Sequence, residues 1–181
     1  MLKIIVPGGE LFDPKTGTFE YTKPVALTLE HSLLSLSKWE SKWKKPFIDR
    51  EHSIDEFNDY IRCMTLTKNV DPNVYEALTD GIRKEVQKYI DDPKTAAVVH
   101  DDGTARKSTK FVTSDLIYYW MVEAGIPFDP CEKWHLNRLL MLIRIIGVER
   151  RTDNKMSKAD SARHHAATNA ARRAKMAKRR R

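Results

Sequence analysis

The spacing of apolar residues changes character several times along the chain, and each change predicts an element. Val25, Leu27 and Leu29 alternate with Ala26, Thr28 and Glu30, the period-two signature of a strand with one buried face. Leu2 to Val6 is a short apolar run that stops at Pro7-Gly8-Gly9, and Pro14-Lys15-Thr16-Gly17 is a second turn before Thr18-Phe19-Glu20-Tyr21. Two or three antiparallel strands are therefore expected in residues 1–30. Such a small N-terminal sheet needs a helical partner to bury its inner face.

From His31 the period becomes helical. Leu33, Leu34, Leu36, Trp39 and Trp43 recur at steps of three and four, with lysines and Glu40 between them, until Pro46. Ser53-Ile54-Asp55-Glu56 is a capping box: the Ser53 hydroxyl can accept the Glu56 N–H while the Glu56 carboxylate reaches back to Ser53. Phe57, Tyr60, Ile61 and Met64 form the stripe behind it. Asp71-Pro72 predicts a capped short helix carrying Val74, Tyr75 and Leu78, and a further helix runs from about Gly81 to Ile90.

The rhythm breaks over residues 91–113. Thr95 to His100 and Lys110 to Thr113 have extended character around an Asp101-Asp102-Gly103 turn, which predicts a short inserted β-hairpin. Helical spacing then returns. Ser114-Asp115 opens a segment with Ile117, Tyr118, Trp120, Met121 and Val122 that ends at Gly125. Asp129-Pro130 repeats the cap-plus-proline device before Leu136, Leu139, Leu140, Ile143 and Ile146, with Gly147 as the expected stop. Because Met141 and Leu142 widen that stripe over most of the circumference, this last helix is expected at the centre of the core. The fold class is thus α+β and predominantly helical.

Charge separates the chain into two parts. The formal net charge is +7, but residues 149–181 hold twelve Lys or Arg against three Asp or Glu, so residues 1–148 are slightly acidic. The expected organisation is one mostly helical body, 1–148, with its β-rich part at 1–30, and a basic arm, 149–181. The arm has alanines and Met176 but no apolar stripe, so it is expected to be flexible or a fraying helix in isolation. Only two cysteines occur, Cys63 and Cys131, too few for a stapled secreted scaffold; both are expected as thiols in a cytosolic compartment. Residues 1–6 are too short for a signal-peptide core, and the longest apolar stretch, Leu139 to Val148, is interrupted by Arg144, so no membrane partner is expected.

A search for chemistry finds no catalytic centre, and no enzyme activity, cofactor or metal is expected. The six histidines lack metal-ligand spacing; Cys131 and His135 would share a helix face, yet two ligands do not make a site. Gly8-Gly9 lacks the lysine and hydroxyl of a phosphate loop. Two features suggest binding instead. Trp39 and Trp43 stand one turn apart on a lysine-dense helix near Phe47, where core packing or an exposed aromatic anchor would each use them. Arg172, Arg173, Arg179, Arg180 and Arg181 concentrate the arm's charge for electrostatic contact with an acidic protein surface or with nucleic acid.

Longer strings carry a family likeness. The stretch from Glu30 to Phe47, the strings Asp59-Tyr60-Ile61-Arg62-Cys63-Met64 and Ile117-Tyr118-Tyr119-Trp120-Met121, and above all Lys133-Trp134-His135-Leu136-Asn137-Arg138-Leu139-Leu140 resemble the tail assembly chaperones of tailed bacteriophages and prophages. Asn169-Ala170-Ala171-Arg172-Arg173-Ala174 extends the likeness into the arm. The resemblance implies a non-enzymatic protein of the host-cell cytoplasm that binds the tape-measure protein, the tail-tube protein, or both during tail morphogenesis. Trp39, Trp43 and Phe47 would then capture apolar client segments. A structural virion component, or one that binds nucleic acid through the arm, is the alternative, and self-association is open.

Overall fold

The computed structural model describes residues 1–13, 17–48, 50–98, 111–153, 163 and 166–170. Two compact units divide the chain, Met1–Ile145 and Ile146–Arg181. The first holds the sheet and the helical core. In the second, residues 166–170 are helical and exposed, and Arg172, Arg173, Arg179, Arg180 and Arg181 lie outside the described residues.

Four strands, not two or three, form in residues 1–30. β1 (Leu2–Val6) pairs antiparallel with β4 (Val25–Leu29), placing Ile4 opposite Leu27 and Val6 opposite Val25. Directly opposed residues share a face, and Ile4, Val6, Leu27 and Leu29 are all buried, so the alternation seen in sequence marks the inner surface. Between them β2 (Gly9–Asp13) and β3 (Thr18–Thr22) make a separate two-stranded hairpin. Gly9 belongs to β2 rather than to the expected turn. The far edge of β4 is covered by the chain leaving the second helix: the Leu66 N–H donates to the Thr28 carbonyl at 2.8 Å, and the Thr28 N–H donates to Thr67 Oγ1 at 2.9 Å.

The helices follow local chemistry closely at their starts. Helix α1 (Leu33–Trp43) begins in a Ser32/Ser35 capping box and ends with Lys44 in the left-handed region at φ 55°. The Ser53/Glu56 box opens α2 (Ile54–Met64) as expected. In α3 (Asn73–Glu76) the Asn73 N–H is taken by Asp71 Oδ1 at 2.9 Å. Thr79 caps α4 (Asp80–Asp91), while Thr113, one residue before the predicted serine, caps α5 (Ser114–Ala124). Gly125 at φ 71° ends α5 in the conformation that favours glycine. Of the expected hairpin, residues 99–110 lie outside the described residues. Its flanks, 95–98 and 111–113, are neither helix nor strand.

The last helices correct three expectations. Asp129 and Pro130 do not cap the long helix: they lie in α6 (Phe128–Cys131), with Asp129 extended and a cis Asp129–Pro130 bond. The long helix α7 (Leu136–Asp153) starts later, where the Leu136 N–H donates to the His31 carbonyl at 2.7 Å and His135 bridges to Ser32. A tertiary partner takes the first N–H of the helix, while the Leu139 N–H is accepted locally by the His135 carbonyl. Gly147 does not stop the helix, because its backbone stays helical at a cost of about 1 kcal/mol relative to alanine. Nor is α7 the centre of the core. Leu136 and Leu139 are fully buried, but Leu140, Met141, Leu142 and Ile143 are only half-buried.

The centre is instead built around Leu33, Leu36 and Trp39 of α1, Tyr60, Ile61 and Met64 of α2, Val86 of α4, and Ile117 and Met121 of α5. Among these helices α1 packs on both α2 and α5.

Candidate interaction surface

Trp39, Trp43 and Phe47 are brought together, but not as an exposed capture surface. Trp39 is 0% exposed and Phe47 is 7% exposed. The Phe47 ring stacks on Tyr60 at 3.8 Å and on His52 at 4.2 Å, and it meets Trp39 edge-on at 5.0 Å. The Trp39 indole N–H donates to the Glu56 carbonyl at 2.9 Å, so its polar edge is satisfied inside the core. The expectation that these two serve as anchors for a partner is therefore corrected: their burial holds α1, α2 and the loop after α1 together.

Trp43 is half-buried. It stacks on Trp39, donates its indole N–H to Asp59 Oδ2 at 2.8 Å, and carries the Lys42 and Lys45 ammonium groups 5.6 and 5.3 Å from its ring centre. Lys42 also pairs with Asp59 at 2.5 Å, and Lys45 pairs with Glu56. The Lys45 hydrogen bond, then the Ser53 backbone, hold the Glu56 carboxyl below its usual range. Trp43 thus stays partly exposed, with Trp39 and two lysines set against its ring.

Glu40, which in sequence stands only as a charge between the apolar positions of α1, has a structural role. Its Oε1 accepts the Phe47 N–H at 3.1 Å and its Oε2 accepts the Ser114 N–H at 2.7 Å. One carboxylate thus ties α1 to the following loop and to the N-terminus of α5, where a negative charge is favoured.

A second polar group lies beneath α7. His31 and His135 are 3% and 7% exposed, with ring centres 5.2 Å apart. His31 Nδ1 shares a hydrogen bond with the Tyr60 hydroxyl at 2.6 Å, and His135 Nε2 donates to the Tyr89 carbonyl at 3.1 Å. The Tyr89 hydroxyl donates in turn to Glu30 Oε1 at 2.7 Å. Burial, then the His135 imidazole, depress the His31 pKa from 6.5 to about 3; burial also lowers His135. Both rings are neutral at physiological pH and join β4, α2, α4 and the start of α7.

Beside this group is a cavity of about 610 Å³. Its buried lining includes His31, Phe47, Ile90 and Leu136, and half-buried Leu140 closes the α7 side. Arg50, Glu51 and Asp91 supply exposed charges. This arrangement suits an apolar anchor group with polar neighbours better than covalent chemistry. Cys63 and Cys131 are free thiols, and burial, followed by the Asp59 carboxylate, pushes the Cys63 thiol up to about 11. Little thiolate then exists at neutral pH. Among the described residues, no group of three His, Cys, Asp or Glu side chains could hold a metal ion. Among the same residues, no helix is long and apolar enough to cross a membrane.

Comparison with family models, curated proteins and solved structures finds no match to this chain.

Proposed function

We propose that the protein is a non-enzymatic assembly chaperone of phage tails, binding the tape-measure protein, the tail-tube protein, or both in the host-cell cytoplasm. The observation that carries this reading is the string Lys133-Trp134-His135-Leu136-Asn137-Arg138-Leu139-Leu140, with its resemblance to that family. The string coincides with the junction at which α7 is tied to His31, so the likeness falls on residues that join the body. An assembly chaperone needs reversible apolar burial and no bond chemistry. The cavity beside Leu140 and the half-buried apolar side chains beyond it supply a place for such burial.

Co-expression with the tape-measure and tail-tube proteins of the same phage, followed by affinity purification, tests this directly. A stoichiometric complex with either client that is absent from mature virions is expected. Failure to bind both, together with stable incorporation into virions, would overturn the reading.

The basic arm favours a second reading, a virion or nucleic-acid-binding component, because residues 149–181 carry more than the whole net charge of the chain. Deletion of residues 150–181 separates the two. Client binding that survives while DNA affinity disappears assigns the arm to a polyanion.

A further inference from the structure

The link between α7 and the body is concentrated at the first turn of the helix. The Leu136 N–H donates to the His31 carbonyl, His135 bridges to Ser32, and the Asn137 side-chain amide donates to the Ile90 and Asp92 carbonyls at 2.7 and 2.9 Å. Leu136 and Leu139 are buried, whereas Leu140 to Ile143 are half-buried. Among the described residues, α7 meets no single element as broadly as α1 meets α2 or α5. A segment held by few buried groups is the kind that opens while the rest of a fold stays closed.

Two imidazoles sit inside that link. His135 donates its Nε2–H to the Tyr89 carbonyl, which can only accept, so Nδ1 is the bare nitrogen of the neutral ring. That Nδ1 is buried without a hydrogen-bond partner, and a proton added there would meet no acceptor. His31 keeps Nδ1 on the Tyr60 hydroxyl and lies 5.2 Å from the His135 ring, so charge on one ring opposes charge on the other. Among the described residues, no carboxylate bonds either ring. Glu30 and Asp92 attract a charged His135, but Glu30 is held by the Tyr89 hydroxyl and the Met1 ammonium, and Asp92 by Lys94, which repels it. Around the cavity that His31 lines, Glu51 and Asp91 are exposed beside Arg50, and His52 stands 3.6 Å from the Glu56 carboxylate.

Lifting the first turn of α7 would bring water to both rings. His135 would leave with the helix, and His31, which already lines the cavity, would lose the cover of His135 and Leu136. A proton is refused while α7 is docked and accepted once it is not, so acid favours the undocked form. We propose that His31 and His135 form a proton-sensitive latch: a proton on either ring releases the first turns of α7 from His31 and α4 and widens the cavity, while α1, α2 and α5 stay packed. The latch acts whatever partner the protein serves.

Native-state hydrogen exchange of the full chain, resolved by NMR and corrected for the rates of an unstructured peptide, measures this opening. The Leu136 and Leu139 amides report on α7, and the Tyr60 and Ile61 amides of α2 report on the core. His31 titrates at about 3 when docked and at about 6.5 when open, so docking should weaken about thirtyfold between pH 7.5 and pH 5, and further through His135. Protection at Leu136 and Leu139 is expected to lie below that at Tyr60 and Ile61 at both pH values, and to fall at least about thirtyfold across the interval. His31→Asn cannot gain charge and should remove about thirtyfold of that fall.

Protection at Leu136 and Leu139 that ignores pH would overturn the inference, because α7 would then open without exposing the imidazoles. Equal protection in α7 and α2, falling together, would overturn it by making the opening global. So would a folded His31→Asn protein that keeps the full fall. Should that variant fail to fold, the wild-type exchange profile alone decides between a latch and global unfolding.

Discussion

Mild acid should weaken the body through His31 before carboxylate protonation contributes. His31 is buried with an imidazole neighbour and titrates at about 3, against about 6.5 in an unfolded chain. Between these values the unfolded state binds a proton that the native state refuses, so stability falls as pH drops through 6.5 and continues to fall toward 3. At pH 5 the difference of 1.5 units between pH and the unfolded pKa corresponds to about 2 kcal/mol for His31 alone. His135 shifts in the same direction and adds to the loss. Glu56, Asp80 and Asp92 have depressed pKa values, so their stabilising interactions are full above the ordinary carboxylate pKa of about 4 and fade as pH falls from there through the depressed values.

The pH 5 to 7.5 window is therefore selective for the histidines. Urea melts at half-unit intervals across it should show falling stability with little change in slope against denaturant. His31→Asn keeps a polar partner for the Tyr60 hydroxyl but cannot acquire charge. It should be less stable than wild type at pH 7.5 and should lose about 2 kcal/mol less on going to pH 5. A pH dependence identical in the two proteins would refute the argument, because the acid sensitivity would then come from elsewhere.

Trp39→Ala should cost about 3–5 kcal/mol, seen as a lower urea midpoint, because it empties a fully buried site and removes the indole N–H that donates to the Glu56 carbonyl. A loss below about 1 kcal/mol would contradict the packed-core role and favour the exposed anchor, the other of the two roles open from sequence. Glu40→Ala leaves the Phe47 and Ser114 N–H groups without their acceptor and should cost about 1–3 kcal/mol, with faster amide exchange at those two positions. Gly125→Ala should lower stability by about 1 kcal/mol, because φ is 71° there, whereas Gly147→Ala should raise helix stability by about the same amount; thermal melts compare the pair.

The elements were legible where local chemistry sets them. Ser53 and Glu56 specify the start of α2 within four residues, and the alternation through Val25, Leu27 and Leu29 identifies a buried strand face. The errors arise where distant residues decide. Nothing near Leu136 announces that its N–H is satisfied by His31, more than a hundred residues earlier, so Asp129-Pro130 looked like the cap. Periodicity in α7 correctly indicated helix, but it could not reveal that the covering side chains end near Leu139.

The candidate surface was less legible for the same reason. An aromatic pair among lysines fits either an anchor or a core, and only the packing of Phe47 and Tyr60 around Trp39 chooses between them. Glu40 was invisible because its partners are main-chain N–H groups, which every sequence contains.

The segment from Thr28 to Ser32 meets both Met64–Thr67 and His135–Leu136, through main-chain groups except at the Thr67 hydroxyl. During translation the first set of partners leaves the ribosome long before the second. At 5–20 residues per second, the ~70 residues between them take about 4–14 s to make. The sheet and first helices then wait with the α7 side of the junction unfilled, and synthesis of His135 and Leu136 supplies the pieces that complete it. A ribosome stalled before those residues have emerged should hold a nascent chain that proteases cut readily, whereas stalling well after Asp153 should protect the same N-terminal region.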